Sequence, residues 1–203
     1  SEVDDGVWCD DLPGDVSGAS TAAGMWGNGL DFDGSNDYVV IDDDSSLDIT
    51  GALTISAWVN LDDNESTQYI VDKYSSESGY FFRVTEDDDE NEGKLSFGYG
   101  WGPGDWAQCF SNTALSENKW YHVLVVLTEN GNIYIYINGE QDEHCGAWDH
   151  DVATNSNDLY IGSQAGTGSY FDGTIDDVSL WSEALTSSEI GKIYWGGDFV
   201  KPV

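Results

Sequence analysis

The sequence predicts an all-β sandwich carrying one short helix near its C-terminal end. Three observations lead there. The stretch from Asn118 to Gly139, NKWYHVLVVLTENGNIYIYING, reads as two strands joined by a tight turn. In all, about a dozen segments of strand pattern are separated by clusters of Gly, Asn, Asp and Ser. Helical signals occur at a single place, after Thr186.

The central pair sets the pattern. Ile133, Ile135 and Ile137 point one way and Tyr134, Tyr136 and Asn138 the other, the period of two of a half-buried strand. Trp120 to Leu127 is richer in apolar residues and belongs deeper in a sheet. Asn130-Gly131 between them tolerates the positive φ that primed hairpin turns need. A lone hairpin is only marginally stable, so other strands must cover its apolar face.

Taken in order, residues 1–29 are acidic and Gly-rich, with VWCDDL as a short first strand. LDFDGSNDYVVI (30–41) is a strand with a turn at Asp33-Gly34, and ALTISAWVNL (52–61) alternates over its whole length. YIVDKYS (69–75) and GYFFRVTE (79–86) follow as strands. EDDDENEG (86–93) is a solvated hairpin tip; a helix–loop–helix calcium loop would need Gly where Glu92 stands. KLSFGYG (94–100) is a strand, WGPGDW (101–106) an exposed aromatic turn, and AQCFSNTAL leads into the central pair. EQDEHCGAWDHDVATNSN (140–157) reads as a long loop, and DLYIGS and FDGTIDDVSLWS supply the last strands. Thr186 and Glu189 form a capping box, followed by Ile190, Ile193 and Tyr194 on one helix face. With no internal linker, residues 1–203 read as one domain.

Charge narrows the partners. Thirty-nine acidic residues against six basic ones give a net charge of −33. Nothing offsets phosphate repulsion, which argues against nucleic acid and anionic membranes as partners. No segment has the apolar length of a transmembrane helix. The sequence opens SEVDDG, without a signal-peptide pattern, as a processed chain would. The acids have two explanations that can coexist: they bind divalent cations, or they adapt the surface to high salt. Scarce Lys along the whole chain favours the second.

Three cysteines, Cys9, Cys109 and Cys145, cannot all pair within one chain. One disulfide with one free thiol suits an exported protein, and three buried thiols is the competing reading. Cys109 and Cys145 flank the central hairpin while Cys9 lies in a loop-rich terminus, so the expected bridge is Cys109–Cys145.

LDFDGSNDYVVI, SSLDITGALTISAWVN, IVDKYS, NKWYHVLVVL, IYINGE, LYIGS, FDGTIDDVSLW and ALTSSEI occur in the order found in laminin-G-like, concanavalin A-like jelly-roll domains. The chain resembles the bacterial and archaeal branch of that family over about residues 27–195, leaving 1–26 as an N-terminal strand and loops. The resemblance implies a two-sheet antiparallel jelly roll with one concave sheet. It does not fix function, because the fold hosts lectins, carbohydrate-binding and adhesion modules, glycosidases and lyases.

Two Phe-Asp-Gly phrases, at 32–34 and 171–173, are each followed by further carboxylates. In domains of similar fold the early and late strands are neighbours, which implies a calcium ion (Ca2+) held by Asp33, Asp37, Asp172 and Asp177. The plain reading is that both phrases only form turns. Tyr99, Trp101, Trp106, Trp148 and Tyr170 are the candidate ligand-binding residues, since sugars stack C–H faces on aromatic rings. Against that, the same rings can fold back as core. His122 reads as a packed strand residue, and His144, Cys145 and His150 match no familiar zinc spacing. No strand carries the closely spaced acids of the fold's glycosidases, a single Arg argues against its lyases, and no Gly-x-Ser-x-Gly turn exists.

The sequence thus points to a non-catalytic, calcium-stabilised, lectin-like module of an exported or cell-surface protein, binding a polysaccharide or cell-surface glycan. An adhesion module for a cell-surface protein is the alternative, and a glycan-active hydrolase or lyase the third.

Overall fold

The computed structural model describes residues 14–86, 91–146 and 148–196. Among these, the strands in chain order are β1 (Gly14–Ser17), β2 (Ser20–Ala23), β3 (Asn28–Asp33), β4 (Tyr38–Ile41), β5 (Leu53–Leu61), β6 (Gln68–Asp72) and β7 (Ser78–Thr85). They continue as β8 (Lys94–Gly102), β9 (Asp105–Ala114), β10 (Trp120–Leu127), β11 (Ile133–Ile137), β12 (Glu140–Cys145), β13 (Leu159–Ile161) and β14 (Asp172–Trp181), and helix α1 (Ser187–Tyr194) follows. The strands form two antiparallel sheets. The first runs β1-β4-β13-β6-β7-β8-β9 and the second β12-β11-β10-β5-β14-β3-β2. This is the jelly-roll sandwich that the sequence predicts.

The core lies between the sheets and follows the alternation. Leu53, Ile55, Ala57, Val59 and Leu61 of β5 meet Tyr80, Phe82 and Val84 of β7, with Val123, Val125, Ile133 and Ile135 beside them. β5 alternates in sequence, yet its other face is buried too: Thr54, Ser56 and Trp58 are all covered. The reason is α1, which lies against the outer face of the second sheet. Ile190 packs on Leu124 and Val126, and Tyr194 stacks on Trp58 with ring centroids 5.7 Å apart. The capping box forms as the sequence predicts, the Thr186 hydroxyl accepting from the Glu189 amide while the Glu189 carboxylate accepts from the Thr186 amide at 2.8 Å.

Several expectations need correction. LDFDGSNDYVVI is two strands in different sheets, because the Asp33-Gly34 turn carries the chain across the sandwich. AQCFSNTA (107–114) is part of β9, a ten-residue edge strand, and EQDEHC is edge strand β12. Edge strands half-exposed to water lack the clean apolar alternation that marks interior ones, which hides them in sequence. In the central turn only Gly131 takes positive φ, at 70°, and Thr128 closes the loop instead, its amide donating to the Asn132 carbonyl at 2.9 Å. The expected strand VWCDDL and Cys9 lie outside the described residues.

Cys109 and Cys145 are bonded, with Cα atoms 5.8 Å apart. The bridge joins β9, the edge of the first sheet, to β12, the edge of the second. Asp142 of β12 strengthens the same seam. Its carboxylate accepts from the amides of Asn112 (2.6 Å) and Thr113 (3.1 Å) and from the Thr113 hydroxyl.

Candidate functional site

Cross-strand register places one aromatic and polar set on the outer face of the first sheet. Tyr69 pairs with Arg83, Asp72 with Phe81, and Tyr160 with Asp72. Directly opposed residues share a face, so these five point away from the core. Phe81 is opposite Gly98, and Gly100, two residues on, is opposite Trp106. A Cβ at Gly98 would come within 2.4 Å of the Phe81 ring, so glycine there lets that ring lie flat on the sheet.

Arg83, the chain's only arginine, is laid across this floor. Its guanidinium carbon is 5.0 Å from the Phe81 ring centre and 5.5 Å from that of Tyr69, and Nη1 donates to the Tyr69 hydroxyl at 3.3 Å. Tyr74 meets Phe81 edge-on at 5.3 Å. Alongside, Gln108 Nε2 donates to Ser96 Oγ at 2.6 Å. Trp106, 47% exposed, stands at the solvent end of this face.

Asp72 is the buried acid of the face. Burial pushes its carboxyl up to about 7, against the pull of the Tyr74 and Ala165 amides and the Arg83 charge. Those amides donate to its two oxygens at 3.2 and 3.0 Å. The Ala165 contact draws the loop 163–168 onto the sheet, where Gly166 lies against Tyr160 and Tyr38. The Tyr170 hydroxyl donates to the Gly166 carbonyl at 3.0 Å and braces the loop.

The five predicted aromatics therefore divide. Trp106 is on this face, and Tyr170 holds a loop at its rim. Tyr99 is a core residue, fully enclosed, its hydroxyl buried without a partner. Burial, with Asp149 and Asp151 nearby, pushes that hydroxyl up to about 12. Trp101 and Trp148 are half-buried against the core at the end of the sandwich, and His150 stacks on Trp101 at 4.5 Å. Sequence reasoning missed Tyr69, Asp72, Phe81 and Arg83. The signal was present: Phe81 and Arg83 alternate with the core residues Phe82 and Val84, and a lone Arg stands out in so acidic a chain.

The predicted carboxylates divide as well. Asp33 and Asp172 are paired across β3 and β14. Asp37 accepts from the Asp33 amide at 3.1 Å. Asp177 lies five residues further along β14, at a bulge, and lines a different feature of the surface. Among the described residues no group of three or more His, Cys, Asp or Glu is disposed to hold a metal ion. What does gather at the β3–β14 end is negative charge. Partial burial, then Asp62, Asp63, Asp33 and Asp31, raise the Asp172 carboxyl above its ordinary range. Among the described residues no helix is long and apolar enough to cross a membrane.

Comparison with known proteins agrees with this architecture. Among solved structures, the chain is similar to the binding domain of Paraclostridial Mosquitocidal Protein 1, at 15% identity and a TM-score of 0.76, over 93% of this chain and 50% of that one. It is similar to the binding domain of botulinum neurotoxin DC in complex with rat synaptotagmin II, at 15% identity and a TM-score of 0.69, over 91% and 46% of the two chains. A third comes from work on botulinum neurotoxin type C, a toxin whose cell entry depends on interaction with two ganglioside molecules, at 15% identity and a TM-score of 0.69, over 93% and 48%. The chain thus spans about half the length of these structures, and at such identity the likeness speaks for the fold alone. No curated protein matches. The laminin G-type model of the concanavalin A-like lectin/glucanases superfamily matches residues 33–191, most of the chain. The chain belongs to the concanavalin A-like lectin/glucanase superfamily.

Proposed function

We propose that this chain is a non-catalytic, lectin-like module of an exported or cell-surface protein, and that it binds a polysaccharide or cell-surface glycan on the outer face of the first sheet. The observation that carries the reading is Arg83 laid over Tyr69 and Phe81, on the same sheet face as the exposed ring of Trp106. The exposed Trp106 ring can accept the C–H face of a pyranose, the buried Tyr69 and Phe81 rings hold the Arg83 guanidinium in place, and Arg83 and Gln108 stand on the same face to meet the sugar's hydroxyls. Asp72 has both oxygens engaged by backbone amides, which suits an acid that shapes a surface rather than one that transfers protons. Two fold relatives that are binding domains, one in complex with rat synaptotagmin II, and a third from a toxin whose cell entry depends on gangliosides, fit a binding role. The Cys109–Cys145 bridge fits an oxidising compartment.

Calcium enters this reading in a narrower form than the sequence suggested. A cation at the crowded β3–β14 end, near Asp33 and Asp172, would relieve the mutual repulsion there; Asp177 is not part of that set.

A glycan array tests the central claim, with Arg83→Ala and Trp106→Ala as paired variants. The expected result is saturable glycan binding that both variants weaken at least about tenfold while the fold persists. Failure to bind any glycan, with tight binding to a cell-surface protein, would replace this reading with the adhesion one. Release of reducing ends or unsaturated products would replace it with an enzyme.

A further inference from the structure

A second site lies on the opposite side of the molecule, in the outer face of the second sheet. A cavity of about 250 Å³ opens between the β2–β3 turn, the bulge in β14 and the end of α1. Trp26, Trp58 and Trp181 contribute its aromatic wall, and Ser56, His122 and Asp177 its polar groups. The volume falls just below the range of drug-sized pockets, roughly 300–1,000 Å³, and suits one small head group.

Its parts are held in place. Trp58 is 5% exposed and forms the floor, stacked on Tyr194 and touched by the tilted ring of His122, whose centre is 5.2 Å away. Trp26 is half-exposed at the mouth. Its amide donates to the buried Asp176 carboxylate at 3.1 Å, which fixes the turn that carries it. That turn is tightly seated, for a Cβ at Gly24 would collide with the same carboxylate. The β14 bulge falls between Asp176 and Ser179, and Asp177 within it takes a positive φ of 49°. Bulges re-aim side chains, and here the bulge lets Asp177 line the cavity while Val178 enters the core.

Among the described residues that line the cavity, the ionised side chain is a carboxylate. Asp177 lines it and Asp176 stands directly behind it. Gly196, at the end of α1, is also in its wall, and the C-terminal end of a helix favours positive charge. His122 is 1% exposed, shares a 2.9 Å hydrogen bond between Nε2 and Ser56 Oγ, and has Nδ1 buried without a partner. Burial holds its ring neutral at ordinary pH, at about 4, so it adds no positive charge. Among the described residues, none that lines the cavity is Lys or Arg.

Tryptophan faces attract cations through the ring quadrupole, and most strongly where water is excluded. We infer that this cavity is a binding site for a small methylated ammonium cation, seated among Trp26, Trp58 and Trp181 and balanced by Asp177. An anion is disfavoured by Asp177 in the lining and by Asp176 behind it. A neutral sugar would use the rings and serines and be indifferent to the carboxylates, so the charge of the ligand is what the experiment must read.

The probes are choline and its uncharged isostere 3,3-dimethylbutan-1-ol, titrated at constant ionic strength and followed through the tryptophan indole N–H resonances. Choline should bind saturably, about tenfold or more tighter than the isostere, and shift the indole signals of Trp26, Trp58 and Trp181. Trp26→Ala removes a half-exposed ring and should weaken choline about tenfold. Asp177→Asn keeps a residue that tolerates positive φ and should erase the preference over the isostere. Neither variant should alter glycan binding on the other sheet. Equal affinity for the isostere, glucose binding at least as tight as choline, unchanged affinity in Trp26→Ala, or no saturable shift would each overturn the inference.

Discussion

Lys73 Nζ reaches Asp43 Oδ1 at 2.6 Å, in a chain with six basic residues and thirty-nine acidic ones. The lysine is not spent on the surface. It is 2% exposed, donates to the carbonyl of Asn157 at 2.7 Å, and lies 3.8 Å from Asp48. It thereby ties the loop after β4 to the loop before β13. Asp43 is a third exposed, so it can rehydrate when its partner is lost, whereas Lys73 cannot. Asp43→Asn should therefore cost more stability, about 2–3 kcal/mol, than Lys73→Met, and the double variant should cost less than the sum. Urea unfolding of the four proteins checks this, and the reverse order of the single variants would contradict it.

Two buried groups should give stability opposite pH trends. The carboxyl of Asp72 is raised to about 7 by burial, so the folded state prefers it protonated. Its contribution is full below about pH 4 and is lost as pH rises to 7, a change of up to roughly 4 kcal/mol. Asp72→Asn should flatten that limb. His122 is lowered to about 4 by burial, so the folded state prefers it neutral. Its contribution is full above about pH 6.5 and is lost as pH falls to 4, roughly 3 kcal/mol. His122→Gln should flatten the acid limb only. Melting curves at pH 4 to 8 for the three proteins separate the effects from general acid repulsion, which all three share.

Reducing the Cys109–Cys145 bridge releases a loop closed over a sequence separation of 36. In the loop-entropy account the loss is roughly 3–4 kcal/mol. A paired Cys109→Ser, Cys145→Ser variant should show it in urea. Non-reducing mass spectrometry that finds both thiols free would remove the basis of the prediction.

A net charge of −33 on 22.2 kDa makes stability depend on screening. The screening length falls from about 30 Å at 0.01 M to about 3 Å at 1 M. Melting temperature should rise steeply between those limits, with potassium chloride nearly as effective as sodium chloride. If the acids serve calcium instead, millimolar calcium raises it at low salt, chelator lowers it at fixed ionic strength, and molar monovalent salt adds little. A flat response to monovalent salt would defeat salt adaptation.

The interior strands were legible because their residues obey one rule each. β5 and β11 announce themselves by alternation, β10 by its apolar run, and α1 by Thr186 and Glu189. The edge strands β9 and β12 were not, since half-exposed strands mix polar residues on both faces. The binding face was hidden for a different reason. Its members come from β6, β7, β8 and β9, and only the register puts Tyr69 beside Arg83 and Trp106 beside Gly100. Asp172 and Asp177 share β14, but a bulge beginning after Asp176 lies between them and re-aims Asp177. Motif spacing carries no information about a bulge.

The seam made by Cys109, Cys145 and Asp142 also bears on self-association. A sheet ends where its last strand has no neighbour, and such an end is a template for strands of other molecules. Here the last strands of both sheets on one side, β9 and β12, are tied to each other. On the other side β1 and β2 close the gap by being consecutive in the chain, one in each sheet. Glu140, Asp142 and Glu143 give β12 a charged border as well. The sandwich thus behaves more like a closed sleeve than two open ribbons. Cutting the sulfur bond frees one side, and fibril formation by the reduced protein should begin there.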